Sequence, residues 1–99
     1  MLDMLVLKSL SVQPMHGYGL AQHLQQVSQD VIRVEEGSLY PALQRMRQKG
    51  WIKAEWRTTP NNQRARYYTI TTAGRRALGE QEEGFARLLV AVRRVMRLG

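Results

Sequence analysis

One β-hairpin pattern most constrains the fold of this chain. It lies between segments whose apolar residues recur at helical spacing. Residues 51–57 alternate apolar and charged side chains, which is the period of a half-buried strand. Residues 58–63 contain a proline and two asparagines and predict a turn. Residues 66–70 are rich enough in aromatic and β-branched side chains to form the returning strand. The pattern therefore predicts a single two-stranded hairpin in an otherwise helical chain.

Four helices are predicted around this hairpin. The first lies at the start of the chain, the second spans residues 18–28, the third spans about 36–50 and ends at a glycine, and the last follows a threonine cap at 71 or 72. Residues 11–17 predict a connector, and the β-branched segment 31–34 predicts either a short strand or a core-filling linker. The apolar stripes of the helices, in chain order, comprise Leu2, Leu5, Val6 and Leu10; Leu20, Leu24 and Val27; Leu39, Leu43 and Met46; and Leu78, Phe85, Leu88, Leu89, Val92, Val95 and Met96.

This order of elements indicates a mainly α fold with a small β-hairpin, a winged helix-turn-helix with a helical extension at its C-terminus. We expect residues 1–72 to form the DNA-binding domain and residues 73–99 to form the dimerisation helix, in one compact unit. In such a fold the hairpin is the wing and the third helix enters the major groove of DNA. A domain of 99 residues buries a marginal core, so help from a second copy is expected.

Positive charge is concentrated in the block that holds the third helix and the hairpin. Residues 38–76 contain nine Lys/Arg and one acid, a net +8, while the other sixty residues contain six Lys/Arg and seven acids, a net −1. A basic face along one such unit is typical of nucleic-acid binding. Charge alone leaves a membrane surface or an acidic protein open as partners.

Several classes of protein are disfavoured by composition. The chain has no cysteine, so it has no disulfide framework, thiol nucleophile or thiolate metal site. No apolar run approaches the ~20 residues that cross a bilayer, and the first residues do not resemble a signal peptide. We therefore expect a cytoplasmic protein that needs no cofactor or metal.

The polar face of the third helix carries side chains suited to base recognition. Gln can pair with adenine and Arg with guanine in the major groove, and groups near the helix N-terminus can bind phosphate. The alternative is that Ser38 only caps the helix and Tyr40 only packs. The candidates on this helix are Ser38, Tyr40, Pro41, Gln44, Arg45 and Gln48.

The predicted wing tip carries Arg64 and Arg66 without a nearby acid, which suits the negative potential of the minor groove. The alternative is a solvated basic turn. Five further basic residues are either backbone contacts or solubilising charge: Lys49, Lys53, Arg57, Arg75 and Arg76.

Three segments, HGYGLAQHLQQ (16–26), EEGSLYPALQRMRQKGWI (35–52) and RARYYTITTAGRRAL (64–78), resemble the PadR family of bacterial transcriptional regulators in order and spacing. The single C-terminal helix resembles the smaller PadR subfamily, and VEEGSLYPAL with WIKAEW is similar to a branch common in acidobacterial genomes. The resemblance implies a homodimeric DNA-binding regulator, usually a repressor. The family contacts that it carries over fall on Tyr18, Ser38, Tyr40, Pro41, Arg45, Arg64 and Arg66. For Tyr18, packing under the third helix is an equal alternative.

The last helix predicts self-association. Its apolar stripe is wide and has little left in the same chain to cover it, so we expect it to pack on a second copy and on the first helix. The alternative is a monomer whose stripe folds back on its own core. Some small PadR-like regulators bind planar drugs between tryptophans of this helix. Here Trp51 and Trp56 lie in the hairpin, so a drug site of that kind is not expected, and the identity of a small-molecule effector is unknown. The predicted dimerisation residues are Leu2, Leu5, Phe85, Leu88, Leu89, Val92, Val95 and Met96.

Three alternative functions each have some support in the sequence. His16, His23 and Asp30 share one helical side but lie too far apart along a helix to bind one metal ion, and no acid/base pair or phosphate loop accompanies them, which disfavours an enzyme. The basic last helix suits a membrane surface, yet the charge excess lies elsewhere. A protein-interaction module that uses the wing is the third alternative.

Overall fold

The computed structural model describes residues 1–98 and contains four helices and one small antiparallel sheet. The helices are α1 (Leu2–Val12), α2 (Gly17–Val27), α3 (Glu36–Gln48) and α4 (Thr72–Met96). The strands are β1 (Met15–His16), β2 (Ile52–Thr58) and β3 (Arg64–Ile70). The predicted winged helix-turn-helix with a C-terminal helix is confirmed.

The sheet differs from the predicted hairpin by one additional strand. Its order is β1-β3-β2, and β1 adds Met15 opposite Tyr68 and His16 opposite Tyr67. β1 lies in the segment that was predicted as a connector, and β3 begins two residues before its predicted start. The segment 31–34 forms no strand in the described structure; Val34 packs against the core instead.

The core lies between α1, α2, α3 and the sheet. Leu7, Leu20, Leu39, Leu43 and Met46 are almost completely buried. Six residues of the stripes predicted for the first three helices meet in one cluster, which the start of β2 and the middle of β3 close from the other side: Val6, Leu10, Leu20, Leu39, Leu43 and Met46. The prediction is wrong for Val27, which is 70% exposed, and it omitted Leu7, which is completely buried. This cluster holds α3 so that its opposite face stays in solvent.

Two glycines shape the ends of the hairpin. Gly50 ends α3 with a φ of 76°, a left-handed conformation that glycine adopts without a steric penalty. Gly74 lies in the first turn of α4, where a Cβ atom would stand 2.0 Å from the carbonyl oxygen of Trp51. Thr71 caps α4, since its side chain accepts a hydrogen bond from the Gly74 N–H at 3.0 Å.

α4 extends well beyond the body of the protein. Its first turns are packed through Ala77 and Leu78, but every residue from Ala86 to Leu98 is exposed. At about 1.5 Å per residue its 25 residues span roughly 37 Å, and the longest dimension of the molecule is 56 Å.

None of the helices in residues 1–98 combines the length and the hydropathy that a membrane span needs.

Candidate nucleic-acid interface

The outer face of α3 is the centre of the candidate interface. Leu39, Leu43 and Met46 turn inward and are buried, as predicted. Because residues opposite a buried stripe on a helix point outward, Pro41, Gln44 and Gln48 face solvent, and all three are exposed. Both glutamines are therefore accessible to a binding partner on the outer face of α3.

Gln44 is oriented by a neighbour on the same helix. Nη1 of Arg47 donates a hydrogen bond to Oε1 of Gln44 at 3.0 Å. This contact uses one acceptor of the amide and leaves its NH₂ group as the donor side. Arg47 is half-buried and was not among the predicted site residues.

Arg45 makes an ion pair inside the protein. Its Nη2 lies 2.5 Å from Oδ1 of Asp3 in the first turn of α1, and its side chain is 49% exposed. The pair joins α3 to the start of α1 across 42 positions of the chain. Asp3 lies in the first turn of α1, and no side chain caps the start of this helix. Arg45 therefore lies on the edge of the outer face, beside α1.

The start of α3 carries Ser38 and Tyr40, which were predicted as phosphate contacts. Glu35 is the N-cap residue, so the alternative that Ser38 serves as the N-cap is wrong; Ser38 lies in the first turn and is exposed. Ser38 can donate its hydroxyl to an anion at the positive end of the helix dipole.

Tyr40 packs against the start of α2 and keeps part of its ring in solvent. A Cβ atom at Gly17 would stand 2.6 Å from the Tyr40 hydroxyl oxygen, and 44% of Tyr40 is exposed. Burial raises the pKa of the Tyr40 hydroxyl, and the nearby Glu36 and Tyr68 raise it further. The hydroxyl thus stays protonated at neutral pH and is a hydrogen-bond donor.

The start of α2 faces the tip of the wing. His16 caps α2, because its Nδ1 accepts a hydrogen bond from the Gly19 N–H at 3.0 Å, and its ring meets the edge of Tyr67. Tyr18 is 58% exposed and accepts a hydrogen bond from Gln22 at 3.1 Å. Tyr18 lines a cleft together with Arg64 and residues of the loop 59–63.

The wing holds its two arginines against an aromatic ring. The guanidinium carbons of Arg64 and Arg66 each lie 5.9 Å from the centre of the Trp56 ring. Arg64 is exposed and Arg66 is half-buried. Trp56 was predicted to lie on the half-buried face of the hairpin, but it is 58% exposed because the core ends before this position.

The charged groups around this surface are unevenly compensated. Among residues 1–98 there are two ion pairs, Arg45 with Asp3 and Arg57 with Glu55. The arginines at the wing tip and the lysines at 49 and 53 are in neither pair. An uncompensated basic surface that surrounds a polar helix face attracts a polyanion.

The predicted site residues fall into three groups. The outer face of α3 holds Pro41, Gln44 and Gln48, and its edge holds Ser38, Tyr40 and Arg45. The wing holds the third group: Tyr18 and Arg64 line the cleft beside it, and Arg66 lies near Trp56. Sequence reasoning missed Asp3, Arg47 and Trp56 as parts of this surface. The register of the hairpin, which pairs Trp56 with Arg66, is the signal that could have identified the tryptophan.

The part of the chain that the structure describes contains no group of His, Cys, Asp or Glu side chains arranged to hold a metal ion.

Comparison with known proteins agrees with this geometry. Residues 6–80 match the model of the transcriptional regulator PadR-like family. The chain is similar to a PadR family transcriptional regulator from Eggerthella lenta, with 31% identity, a TM-score of 0.85 and coverage of 99% of this chain and 83% of that chain. It is similar to a PadR-like transcriptional regulator from Bacillus cereus, with 26% identity, a TM-score of 0.84 and coverage of 99% and 93%. A transcriptional regulator from Clostridium thermocellum has the same fold, with 22% identity, a TM-score of 0.86 and coverage of 93% and 89%.

Proposed function

Because the chain belongs to the PadR-like family of DNA-binding transcriptional regulators, whose members are not enzymes, we propose that it is a repressor. It binds an inverted-repeat operator as a homodimer and blocks access of RNA polymerase to the promoter. The observation that carries this proposal is the uncompensated positive charge of the segment that contains α3 and the wing, together with the exposed polar face of α3.

Sequence recognition is assigned to the outer face of α3. Gln44 and Gln48 are exposed there and can form paired hydrogen bonds with adenine. Arg45 can donate hydrogen bonds to guanine either after its guanidinium leaves Asp3 or while it keeps one of its N–H groups on Asp3. Affinity comes mainly from phosphate contacts, which are assigned to Tyr18, Ser38 and Tyr40 around α3 and to the wing residues Arg64 and Arg66. Pro41 has no N–H to donate and is assigned an apolar contact in the groove.

Dimerisation is assigned to the distal half of α4 and to α1. Leu88 is 59% exposed and Val95 is 64% exposed in a single protomer, so α4 leaves a long apolar stripe without cover. Packing this stripe against a second copy would present two α3 helices to successive major grooves, on the order of 34–36 Å apart. The surface that this pairing would bury comprises Leu2, Leu5, Phe85, Leu88, Leu89, Val92, Val95 and Met96.

Relief of repression by a small molecule is assigned to the open space between α1 and α4. This space has a volume of about 610 Å³ and is lined by Met4, Phe85 and Leu88, with the Asp3–Arg45 pair at its rim. A molecule in it would contact the dimerisation helix and a residue of α3 at once. The two tryptophans of the chain lie outside this space.

The test is a footprint of the purified protein on the DNA upstream of its own gene. The expected result is protection of two half-sites of an inverted repeat, with two protomers bound per duplex. Inserting five base pairs between the half-sites turns them to opposite sides of the helix, so it should abolish joint occupancy. Run-off transcription from the same template should fall as the site fills. Protection of a single, non-repeated site, or a rise in transcription, would contradict the proposal.

A further inference from the structure

Trp56 is a large apolar side chain that the fold leaves in solvent. It lies on the same face of the hairpin as Ile52 and Ala54, since alternate residues of a strand share a face. Ile52 is buried and Ala54 is half-buried, but Trp56 is 58% exposed. The hydrophobic core therefore does not account for a tryptophan at this position.

The register of the hairpin brings two arginines to this ring. Arg66 is directly opposite Trp56, and Arg64 is the next residue on the same face of β3, opposite Thr58. Directly opposite and diagonal side chains on one face of an antiparallel pair are within contact reach. Both guanidinium carbons lie 5.9 Å from the ring centre, which is within the distance of a cation–π interaction.

These contacts order the two cationic groups before any partner arrives. A guanidinium attracted to an aromatic ring keeps N–H donors that can reach a carbonyl or phosphate oxygen. Nε of Arg66 is shielded from solvent and has no hydrogen-bond partner among the described residues, so this guanidinium lies against the wing rather than extending into water.

We propose that Trp56 is a positioning residue for DNA binding: its ring holds Arg64 and Arg66 in the orientation in which they engage the DNA backbone at the minor groove. The inference rests on the proposed DNA-binding role of the wing. It adds to that role a residue that carries no charge and forms no hydrogen bond to DNA in its own right.

The expected effect follows from the entropy of ordering long side chains. Immobilising a flexible side chain on binding costs conformational entropy, and the contact with Trp56 removes part of that cost for each arginine. Trp56→Leu, which keeps an apolar side chain in the strand but removes the ring, should therefore weaken binding to the operator roughly three- to tenfold. Trp56→Phe keeps a weaker ring and should recover most of the affinity.

The experiment is a double-mutant cycle measured by anisotropy of a labelled operator duplex. The four proteins are wild type, Trp56→Leu, the pair Arg64→Gln with Arg66→Gln, and the triple variant, with thermal unfolding of each as a check of folding. If Trp56 acts through the arginines, the loss caused by Trp56→Leu disappears in the background that lacks them.

The outcomes separate this inference from the function on which it rests. An equal loss from Trp56→Leu in both backgrounds overturns the positioning role, because the ring then acts independently of the arginines. No loss in the wild-type background overturns it as well. If wild-type protein shows no preference for any duplex, the proposed function itself fails and the inference falls with it.

Discussion

At the scale of single residues, Arg45 has two alternative binding partners, Asp3 in the free protein and a base in the proposed DNA complex. In the free protein its guanidinium pairs with Asp3 at the start of α1. In the proposed complex the same group faces a base edge in the major groove. An exposed ion pair contributes about 0–1 kcal/mol, which a pair of hydrogen bonds to guanine can exceed.

Arg45→Ala should lower the affinity for the operator by ~1–3 kcal/mol and relax the preference for one base pair in each half-site. The measurement is anisotropy with the operator and with single-base variants of it. Asp3→Asn is the matched control, because it removes the ion pair but keeps the guanidinium, and it should leave operator affinity unchanged or increase it. Uniform weakening of Arg45→Ala on all sequences would instead make Arg45 a phosphate contact.

At the scale of elements, the junction between α3, β2 and α4 sets how the wing is held. Gly74 approaches the carbonyl of Trp51, and the Thr71 hydroxyl donates to that same carbonyl at 3.0 Å. The first turn of α4 is thus fastened to the turn that precedes β2. A substitution that disturbs this contact should therefore lower the stability of the fold and change the position of the wing.

Gly74→Ala should reduce the free energy of unfolding by about 1–3 kcal/mol, because the new methyl group overlaps the Trp51 carbonyl and backbone must move. Gly79→Ala in the same helix is the matched control. No atom lies within 4 Å of a Cβ there, so it should stabilise the protein by about 0.5–1 kcal/mol through helix propensity. Urea unfolding measures both; equal effects of the two variants would show that the tight contact does not exist.

The wing is tested by its salt dependence. Arg64→Ala should reduce the slope of log K against log salt by about one unit, because one phosphate contact and its released counterion are lost. Arg94→Ala removes the same charge from the distal part of α4, remote from the wing, and should leave the slope unchanged. A slope that is unaffected by Arg64→Ala removes Arg64 from the interface.

Local sequence patterns predicted best those elements in which the pattern repeats several times. The buried stripe of α3 repeats several times, so its burial followed from the sequence. The alternation in β2 indicated the strand itself, but burial follows the alternation only at Ile52 and in part at Ala54. β1 has two residues and exists only through pairing with β3, which lies about 50 positions later, so no local pattern indicates it. The Asp3–Arg45 pair is likewise a consequence of tertiary packing. Alternation places Trp56 on a face but does not tell how far the core extends beneath that face.

At the scale of the whole molecule, α4 decides whether two DNA-binding heads can act together. Its exposed apolar stripe is the largest feature that the single chain leaves uncovered. The spacing of the apolar stripe on α4 followed from the sequence. The sequence of α4 alone does not tell which protein surface packs against this stripe. The pairing of two copies therefore remains a prediction.

Val92→Gln should weaken self-association by about 1.5–3 kcal/mol per buried valine, since Val92 lies on the stripe and is 45% exposed in the single chain. Val90→Gln is the matched control: Val90 is 47% exposed but lies on the other side of the helix, and its replacement should change association little. Sedimentation equilibrium measures both. Equal effects of the two variants would place the interface elsewhere.

Recognition of a DNA sequence through α3 and the wing is the proposal on which the others depend. Its most direct test is fluorescence anisotropy of a labelled duplex from the region upstream of the gene, titrated beside a scrambled duplex over a series of salt concentrations. We predict an affinity for the upstream duplex that is ~10³-fold or more above that for the scrambled one, with a steep negative dependence on salt. Equal, weak binding to both duplexes at every salt concentration would contradict sequence recognition at this region.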